Sequence, residues 1–219
     1  MHVITPCANL NNSIRYYQKL GYTQLEDEEL TLFSDGKVLI QIHADRFIRP
    51  GICVSSDRPL PAKVKDHLIE TAVGYACTDP NGVWIYFTDQ LILEGDARPS
   101  LLGNFEGISL EVHRLESSVA FYNDIGFEVN SGSADAGWVS MKDANGTSIS
   151  MMKPQTCPHL FFNPGLTYFN GGKNPEIIQA LRNAGVKFAE EVTYFNPKGE
   201  VDNVILRDPG GLGIFVFND

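Results

Sequence analysis

The sequence predicts an α+β protein built from tandem βαβββ modules, two in each half of the chain. Two repeated patterns support this fold class. Residues 13–22 (SIRYYQKLGY) and 118–127 (SVAFYNDIGF) share the pattern S-x-x-[F/Y]-Y-x-x-[L/I]-G-[F/Y]. Residues 78–87 (TDPNGVWIYF) and 207–216 (RDPGGLGIFV) share D-P-x-G followed by an apolar strand. Because the helix and turn–strand signatures recur in the same order, the chain is predicted to contain two copies of one domain.

The first half is predicted to hold one complete module and one shortened module. Asn11 or Asn12 can cap the first helix, and Gly21 can end it. Asp35-Gly36 is a hairpin signal. The second helix is poorly specified because RPLPAKVKDHLIE contains two prolines, which allow a short helix at most. The predicted strands are HVITPCA, YTQLEDE, LTLF, KVLIQIH, GICVSS, AVGYACT and GVWIYF.

The second half repeats the plan with two complete modules. Its first helix ends at Gly126, and Asn145-Gly146 is the hairpin turn. Its second helix is predicted with Asn174 as N-cap, Pro175 at the first helical position and Gly185 as the stop. The predicted strands are GISLEV, FEVNS, GWVSMK, TSISMM, GLTYF, VKFAEEV, EVDNVILR and LGIFVF.

These elements predict a first domain over residues 1–91, a linker over 92–104 and a second domain over 105–219. In GISLEV the alternation places Ile108, Leu110 and Val112 on one face of a strand. Four such modules, each with a helix that can cover one face of a sheet, complete the α+β prediction.

Composition excludes several classes of function. The net charge of −10 argues against nucleic acid or an anionic membrane as the main partner. No apolar stretch approaches a membrane span, and no secretion signal is evident. The four cysteines are far apart, without C-x-x-C spacing, which indicates reduced thiols in a cytoplasmic protein.

The two motifs together resemble the vicinal oxygen chelate superfamily, which includes glyoxalase I, bleomycin-resistance proteins, fosfomycin-resistance enzymes and extradiol dioxygenases. The resemblance covers nearly the whole chain and is weakest over residues 44–77. It implies paired modules that form a cupped sheet around a small-molecule site. The modules pair either within one chain or across a homodimer in this family, and the sequence leaves that choice open.

The resemblance also implies set positions for the ligands of a divalent metal. A His about eleven residues before the helix serine corresponds here to His2, and a Glu is expected four residues after each turn glycine. A metal needs three or four converging donors. His2 is the one candidate, so neither a metal site nor a cofactor is predicted, and no catalytic residue is assigned. The other positions carry Ile40 or Gln41, Gly51 or Ile52, Tyr86, Gly107, Ser150, Gly165 and Phe215.

What remains in the cups is apolar and aromatic. Because residues i and i+2 of a strand share a face, the alternation predicts two sets of ligand-binding side chains. In the first half His2, Ile4, Gln41 and His43 would join this face. His113 is interpreted as a surface-loop residue. His159 lies in a proline-flanked connection that could overhang a cup, although a surface loop is favoured. The predicted binding residues are Trp84 and Tyr86 in the first half, and Ser109, Glu111, Trp138 (or Val139), Ser150, Thr167, Phe169, Phe215 and Phe217 in the second.

The sequence thus favours a glyoxalase/bleomycin-resistance-like protein without the metal ligands, which binds a small organic molecule non-covalently. One alternative is a metal-dependent lyase, isomerase or dioxygenase with displaced ligands. It requires at least three of His2, Gln41, His43, Tyr86, Glu111 and His159 to converge. The other alternative is a non-catalytic scaffold or interaction module, which requires cups filled by their own aromatic side chains.

Overall fold

The computed structural model describes residues 1–58, 60, 62–89 and 97–218, with only the backbone of Ala62 and Lys63. Residues 90–91 of the predicted first domain and residues 92–96 of the predicted linker lie outside these ranges. Within residues 97–104 the backbone attaches to the first half, where Leu101 N–H donates to Leu20 O over 2.8 Å. The domain boundaries stay a prediction.

The first half forms an eight-stranded mixed sheet in the order β2-β3-β4-β1-β5-β8-β7-β6. Its helices are α1 (Leu10–Lys19) and the short α2 (Ala62–Lys65), which agrees with the weak helix signal between the prolines. Its strands are β1 (His2–Pro6), β2 (Thr23–Leu25), β3 (Thr31–Ser34), β4 (Leu39–His43), β5 (Gly51–Ser55), β6 (Ile69–Thr71), β7 (Gly74–Thr78) and β8 (Trp84–Thr88).

The second half forms an equivalent eight-stranded sheet in the order β10-β11-β12-β9-β13-β16-β15-β14. Its helices are α3 (Leu115–Asp124) and α4 (Asn174–Asn183), and a 3-10 helix over Gly171–Lys173 precedes α4. Its strands are β9 (Phe105–Glu111), β10 (Phe127–Ser133), β11 (Trp138–Asp143), β12 (Ser148–Met152), β13 (Gly165–Phe169), β14 (Glu190–Val192), β15 (Asn203–Arg207) and β16 (Gly213–Phe217).

Each sheet is made from two modules of the same half. The first strands of the paired modules, β1 with β5 and β9 with β13, lie antiparallel at the centre of each sheet. The last strands lie parallel beside them, as β4 does with β1 and β16 with β13. The predicted α+β class with tandem βαβββ modules is confirmed, and the modules pair within one chain.

One hydrophobic core joins the two halves. Alternate strand residues from both sheets, such as Val3 and Ile85 in the first and Ile108 and Ile214 in the second, belong to the same buried cluster. This cluster includes Tyr17 of α1, together with residues of α3 and α4. The intervening residues of each strand lie on the opposite face of its sheet, which is the cup face.

Two helix starts differ from the prediction. Asn9 caps α1 and accepts from Asn12 N–H at 3.1 Å, so the cap lies before the predicted Asn11 or Asn12. Asn174 is not an N-cap, because the 3-10 helix already brings Lys173 into helical conformation. The buried Asn174 side chain instead donates to Val216 O at 3.1 Å and so ties α4 to β16.

The two repeated motifs are bonded to each other across the halves. Tyr17 of the first helix motif donates to Asp208 of the second D-P-x-G turn at 2.9 Å. Tyr122 of the second helix motif donates to Asp79 of the first D-P-x-G turn at 3.2 Å. Both carboxylates also accept backbone N–H groups of their own turns, so each turn is fixed by a helix from the other half.

A second pair of contacts crosses between the halves. Asp35, in the hairpin turn of the first half, accepts from Tyr168 of β13 at 2.8 Å, and Tyr168 also shares a short hydrogen bond with Tyr22. Asp143, at the equivalent turn of the second half, pairs with Arg58 of the first half. Among the described helices, none is long and apolar enough to cross a membrane.

The tyrosine–aspartate bonds give a direct test of how the halves are held. Tyr17→Phe is expected to lower the free energy of unfolding by about 1.5–3 kcal/mol, because a hydrogen bond to a buried carboxylate is lost. Tyr122→Phe is expected to act in the same direction. Urea denaturation measures the change, and Tyr75→Phe is the control because Tyr75 is 53% exposed. Equal stability of Tyr17→Phe and the control would contradict the role of the bond.

Candidate ligand-binding site

Alternate residues of the central strands form the cup face of the second sheet. Ser109 lies beside Ser150 and Gly165, and Thr167 lies beside Phe215, in the strand registers. The residues between them point into the shared core. The serine and threonine hydroxyls of Ser109 and Thr167 bond to each other at 2.7 Å, so the floor of the cup is polar but satisfied.

A cavity of about 390 Å³ lies over this floor. Its lining combines aromatic side chains with several polar ones. Because Phe161 and Phe215 pack at 4.8 Å between ring centroids, they form a continuous apolar wall. The lining residues are Ser109, Met152, Cys157, His159, Phe161, Thr167, Phe169, Phe195, Asp202, Asn203, Phe215, Phe217 and Asn218.

The structure brings together some of the predicted binding residues and separates others. The five that line the cavity are Ser109, Thr167, Phe169, Phe215 and Phe217. Three others share the cup face but lie outside the lining. Ser150 lies beside Ser109 on β12, Trp138 is 46% exposed on β11, and Glu111 accepts from Gln155 N–H at 3.0 Å.

His159 lies in a connection, as predicted, but the favoured interpretation as a surface residue was wrong, because the residue overhangs the cup. Its side chain is buried. The centroid of its ring lies 4.9 Å from that of Phe217, in an edge-on arrangement, and 5.6 Å from that of Phe215. The apolar run after it, Leu160 to Phe162, is the sequence signal that could have indicated burial. The connection between β12 and β13 folds back over the cup, which local sequence could not show.

A glycine makes room for the aromatic wall. Gly165 is the first residue of β13, and the Phe215 ring extends over it. A Cβ at position 165 would overlap this ring. The equivalent position of the first half is Gly51, where a Cβ would meet the Tyr86 ring. In each half, therefore, a glycine on the central strand lets the aromatic residue of the last strand lie across the sheet.

The unpaired polar atoms of the cavity residues are acceptors. Nδ1 of His159 lies 2.9 Å from Leu160 O and donates to it, which leaves a lone pair on Nε2 in the neutral ring. His159 Nε2 and Asn218 Oδ1 are buried without a partner among the described residues. Asp202 contributes a carboxylate to the lining. A ligand with N–H or O–H donors complements this arrangement.

The cup of the first sheet is filled by its own residues. Ile4, Cys53 and Tyr86 form a buried cluster with Ile48, which comes from the connection between β4 and β5. The Tyr86 hydroxyl donates to the backbone oxygen of Arg49 at 3.0 Å and so holds this connection over the cup. Burial raises the pKa of Tyr86 to about 12, so the hydroxyl keeps its proton.

The predicted residues Trp84 and Tyr86 line a cavity at the edge of this filled cup. It has a volume of about 530 Å³ and lies between the β4–β5 connection and residues 69–72. The Trp84 and Tyr86 rings stack at 6.2 Å between centroids. Phe47, which is 69% exposed, forms part of its rim.

His2 and Gln41 are buried on the cup face without hydrogen-bond partners in the described structure. Burial lowers the pKa of His2 to about 4, and the neighbouring Gln41 side chain opposes the shift. His2 is therefore neutral at physiological pH.

The described residues do not fit a catalytic divalent metal. They contain no group of three or more His, Cys, Asp or Glu side chains that could hold a metal ion. Of the six donors named for a displaced metal site, Glu111 and His159 lie in the second half. His2, Gln41, His43 and Tyr86 lie in the first half, where the Tyr86 hydroxyl donates to Arg49 O. Nδ1 of His43 is also occupied, since it accepts from Asp45 N–H at 3.1 Å.

Comparison by sequence gives no match, either to a protein-family model or to a curated protein. Solved structures match over 98% of the chain. A mutant of 4-hydroxymandelate synthase from Streptomyces coelicolor matches at TM-score 0.60 and 11% identity, over 90% of that chain. A Mn(II)-bound glyoxalase from Novosphingobium aromaticivorans matches at 0.54 and 15%, over 79%. A catechol 2,3-dioxygenase matches at 0.52 and 14%, over 86%.

The chain has the fold of the vicinal oxygen chelate superfamily. At identities of 11–15% this likeness concerns the fold alone. Function has to be argued from the site, since one fold hosts many chemistries.

The buried His2 predicts a pH-dependent stability. The unfolded chain protonates His2 near pH 6.5, whereas the folded chain does so near pH 4. The contribution of neutral His2 is therefore present above pH 6.5 and is lost as the pH falls to 4, by up to about 3 kcal/mol. His2→Leu should lack this loss in urea denaturation across the same window. The exposed His67→Leu is the control, and the same pH profile for both variants would contradict the assignment.

Proposed function

We propose that the chain binds a small planar organic molecule non-covalently in the cavity of the second sheet. The observation that carries the proposal is a cavity of about 390 Å³ whose lining includes five phenylalanines and two residues with unpaired acceptor atoms among the described residues. Ligand pockets of roughly 300–1,000 Å³ are predominantly apolar with a few placed polar groups. This cavity fits that description.

The walls supply the affinity. The rings of Phe161, Phe169, Phe215 and Phe217 offer faces against which a planar molecule can stack. Burial of apolar surface contributes about 25 cal/mol per Å². Phe169 is 39% exposed and Phe195 is 53% exposed, so their rings have apolar surface still available to a ligand.

The polar atoms supply the selectivity. Among the described residues, His159 Nε2 and Asn218 Oδ1 have no donor, and a buried acceptor without a donor costs about 1–3 kcal/mol. A ligand hydroxyl or amine recovers this energy. The Asp202 carboxylate further favours a neutral or positively charged ligand over an anion. The ligand class is thus a planar aromatic molecule with an O–H or N–H donor.

The proposal includes no metal-dependent reaction. Phe215 occupies the position at which the superfamily places a carboxylate ligand, and its ring forms the cavity wall instead. On the first sheet the equivalent Tyr86 hydroxyl is committed to Arg49. We infer that the fold has kept its cup and lost the metal ligands.

The first half has a second, structural role in this proposal. Its cup is closed by Ile48 and Tyr86, as a scaffold requires. The same half supplies Asp79, which fixes Tyr122 of α3, and Arg58, which pairs with Asp143. The filled sheet therefore supports the sheet that binds the ligand.

Phe217→Ala tests the location of the site. Titration calorimetry with 1-naphthol is expected to show saturable binding to the wild type and affinity weakened about tenfold or more in the variant, because an aromatic wall is removed. Phe47→Ala is the matched control, because Phe47 borders the cavity of the first half. Weakening by Phe47→Ala alone would place the ligand in the first half, against the proposal.

His159→Phe tests the recognition of a donor. This variant keeps an aromatic ring against Phe215 and Phe217 but removes Nε2. The wild type is expected to prefer 1-naphthol over 1-methoxynaphthalene by about tenfold, which corresponds to one recovered hydrogen bond. The preference should disappear in the variant while the affinity for the ether is retained. An unchanged preference would show that His159 does not receive the donor.

A further inference from the structure

A further cleft, here called the basic cleft, lies between helix α1 and the second half. Its volume is about 400 Å³, and it shares no lining residue with the aromatic cavity. One wall comes from α1 and the other from the chain after α4 and the end of β15. The lining residues are Asn12, Arg15, Tyr16, Lys19, Gly185, Val186, Lys187, Arg207 and Pro209.

The basic cleft concentrates positive charge in an acidic protein. The lining includes Arg15, Lys19, Lys187 and Arg207, although the whole chain carries a net charge of −10. None of these four takes part in an ion pair within the described ranges, where the ion pairs are Arg58–Asp143 and Arg182–Glu191. Like charges gathered in one concavity repel, and they raise the local concentration of anions.

Only part of this charge has a local structural explanation. Lys19 lies in the last turn of α1, where a cation interacts favourably with the helix dipole. The Arg15 guanidinium donates to Asn12 Oδ1 at 2.6 Å, and the Arg207 guanidinium lies 5.5 Å from the Phe162 ring centre. Asn12 is neutral, so the charge of Arg15 remains uncompensated in the cleft. The Phe162 ring lies over Gly213 on the cup face, so the Arg207 guanidinium is turned toward the cup.

Tyr16 provides an independent observation. Its hydroxyl is buried in the wall of the cleft and has no hydrogen-bond partner in the described structure. The nearby Asp208 does not accept from it, because its carboxylate accepts from Tyr17, Thr5 and Leu212. Burial, and then the charge of Asp208, raises the pKa of Tyr16 well above its usual value. The hydroxyl is therefore a permanent donor that lacks an acceptor.

We propose that the basic cleft binds the phosphate group of a small phosphorylated molecule. Three cations (Arg15, Lys19 and Lys187) and a hydroxyl donor without an acceptor among the described residues match a group that carries a charge of about −1.5 to −2 and three acceptor oxygens. Arginine forks recognise such oxygens in pairs. The ring of Tyr16 with Val186 and Pro209 leaves apolar surface for the organic part of the ligand.

The site joins the two halves of the chain, because Arg15, Tyr16 and Lys19 belong to the first and Lys187 to the second. Bound phosphate would therefore oppose their separation. Any molecule that binds only the folded state raises its stability by mass action. This inference is independent of the aromatic cavity and stands or fails separately.

Titration calorimetry with inorganic phosphate and pyrophosphate, at constant ionic strength set by chloride, tests the proposal. We expect one saturable site with pyrophosphate bound more tightly, and a rise in melting temperature in either ligand. Lys187→Gln, Arg15→Gln and Tyr16→Phe should each weaken binding about tenfold, because each removes a hydrogen bond to a charged group. Lys142→Gln, an equal change of charge at an exposed position on β11, should leave the affinity unchanged.

Three outcomes would overturn the proposal. One is the absence of saturable binding by pyrophosphate at low ionic strength. Another is an equal loss of affinity in Lys142→Gln and Lys187→Gln, which would indicate a non-specific effect of net charge. The third is malonate binding as tightly as phosphate, which would assign the cleft to carboxylates. Circular dichroism and the melting temperature of each free variant separate loss of binding from loss of folding.

Discussion

Tyr17 and Tyr122 each donate a hydrogen bond to a buried aspartate of the opposite half, and the architecture depends on this reciprocal contact. Asp208 and Asp79 belong to the D-P-x-G turns that lead into β16 and β8. Burial raises the pKa of both carboxyl groups, so each needs the hydroxyl and backbone donors that surround it. The bonds that join the halves thereby also fix the strands that carry the aromatic residues of the cups.

The two cups show how one plan gives two outcomes. Tyr86 and Phe215 occupy equivalent places, each beside a central-strand glycine. The hydroxyl of Tyr86 binds Arg49 and draws the connection between β4 and β5 inward, so that Ile48 fills the cup. Phe215 has no hydroxyl to hold a connection in this way. In the second half, the connection between β12 and β13 instead places His159 at the wall of the aromatic cavity, which remains open.

Much of the fold followed from local sequence. Alternation identified the cup face correctly, because a strand has a period of two whatever its partners are. The hairpins at Gly36 and Gly146 also followed, since both glycines adopt a positive φ that other residues avoid. The starts of α1 and α4 did not follow. Tertiary packing determines that Asn9 caps α1 and that a 3-10 helix precedes Asn174. Packing outweighs the small differences in free energy between adjacent capping residues.

The sequence by itself determined the repeat, the strand faces and the aromatic character of the cups, because these depend on residues close together in the chain. Only the tertiary structure decided that Tyr17 meets Asp208, 191 positions away, and that His159 enters the cup. It also brought the cations of α1 beside Lys187. Contacts of this kind depend on how the two sheets pack around a shared core, and local periodicity carries no information about that packing.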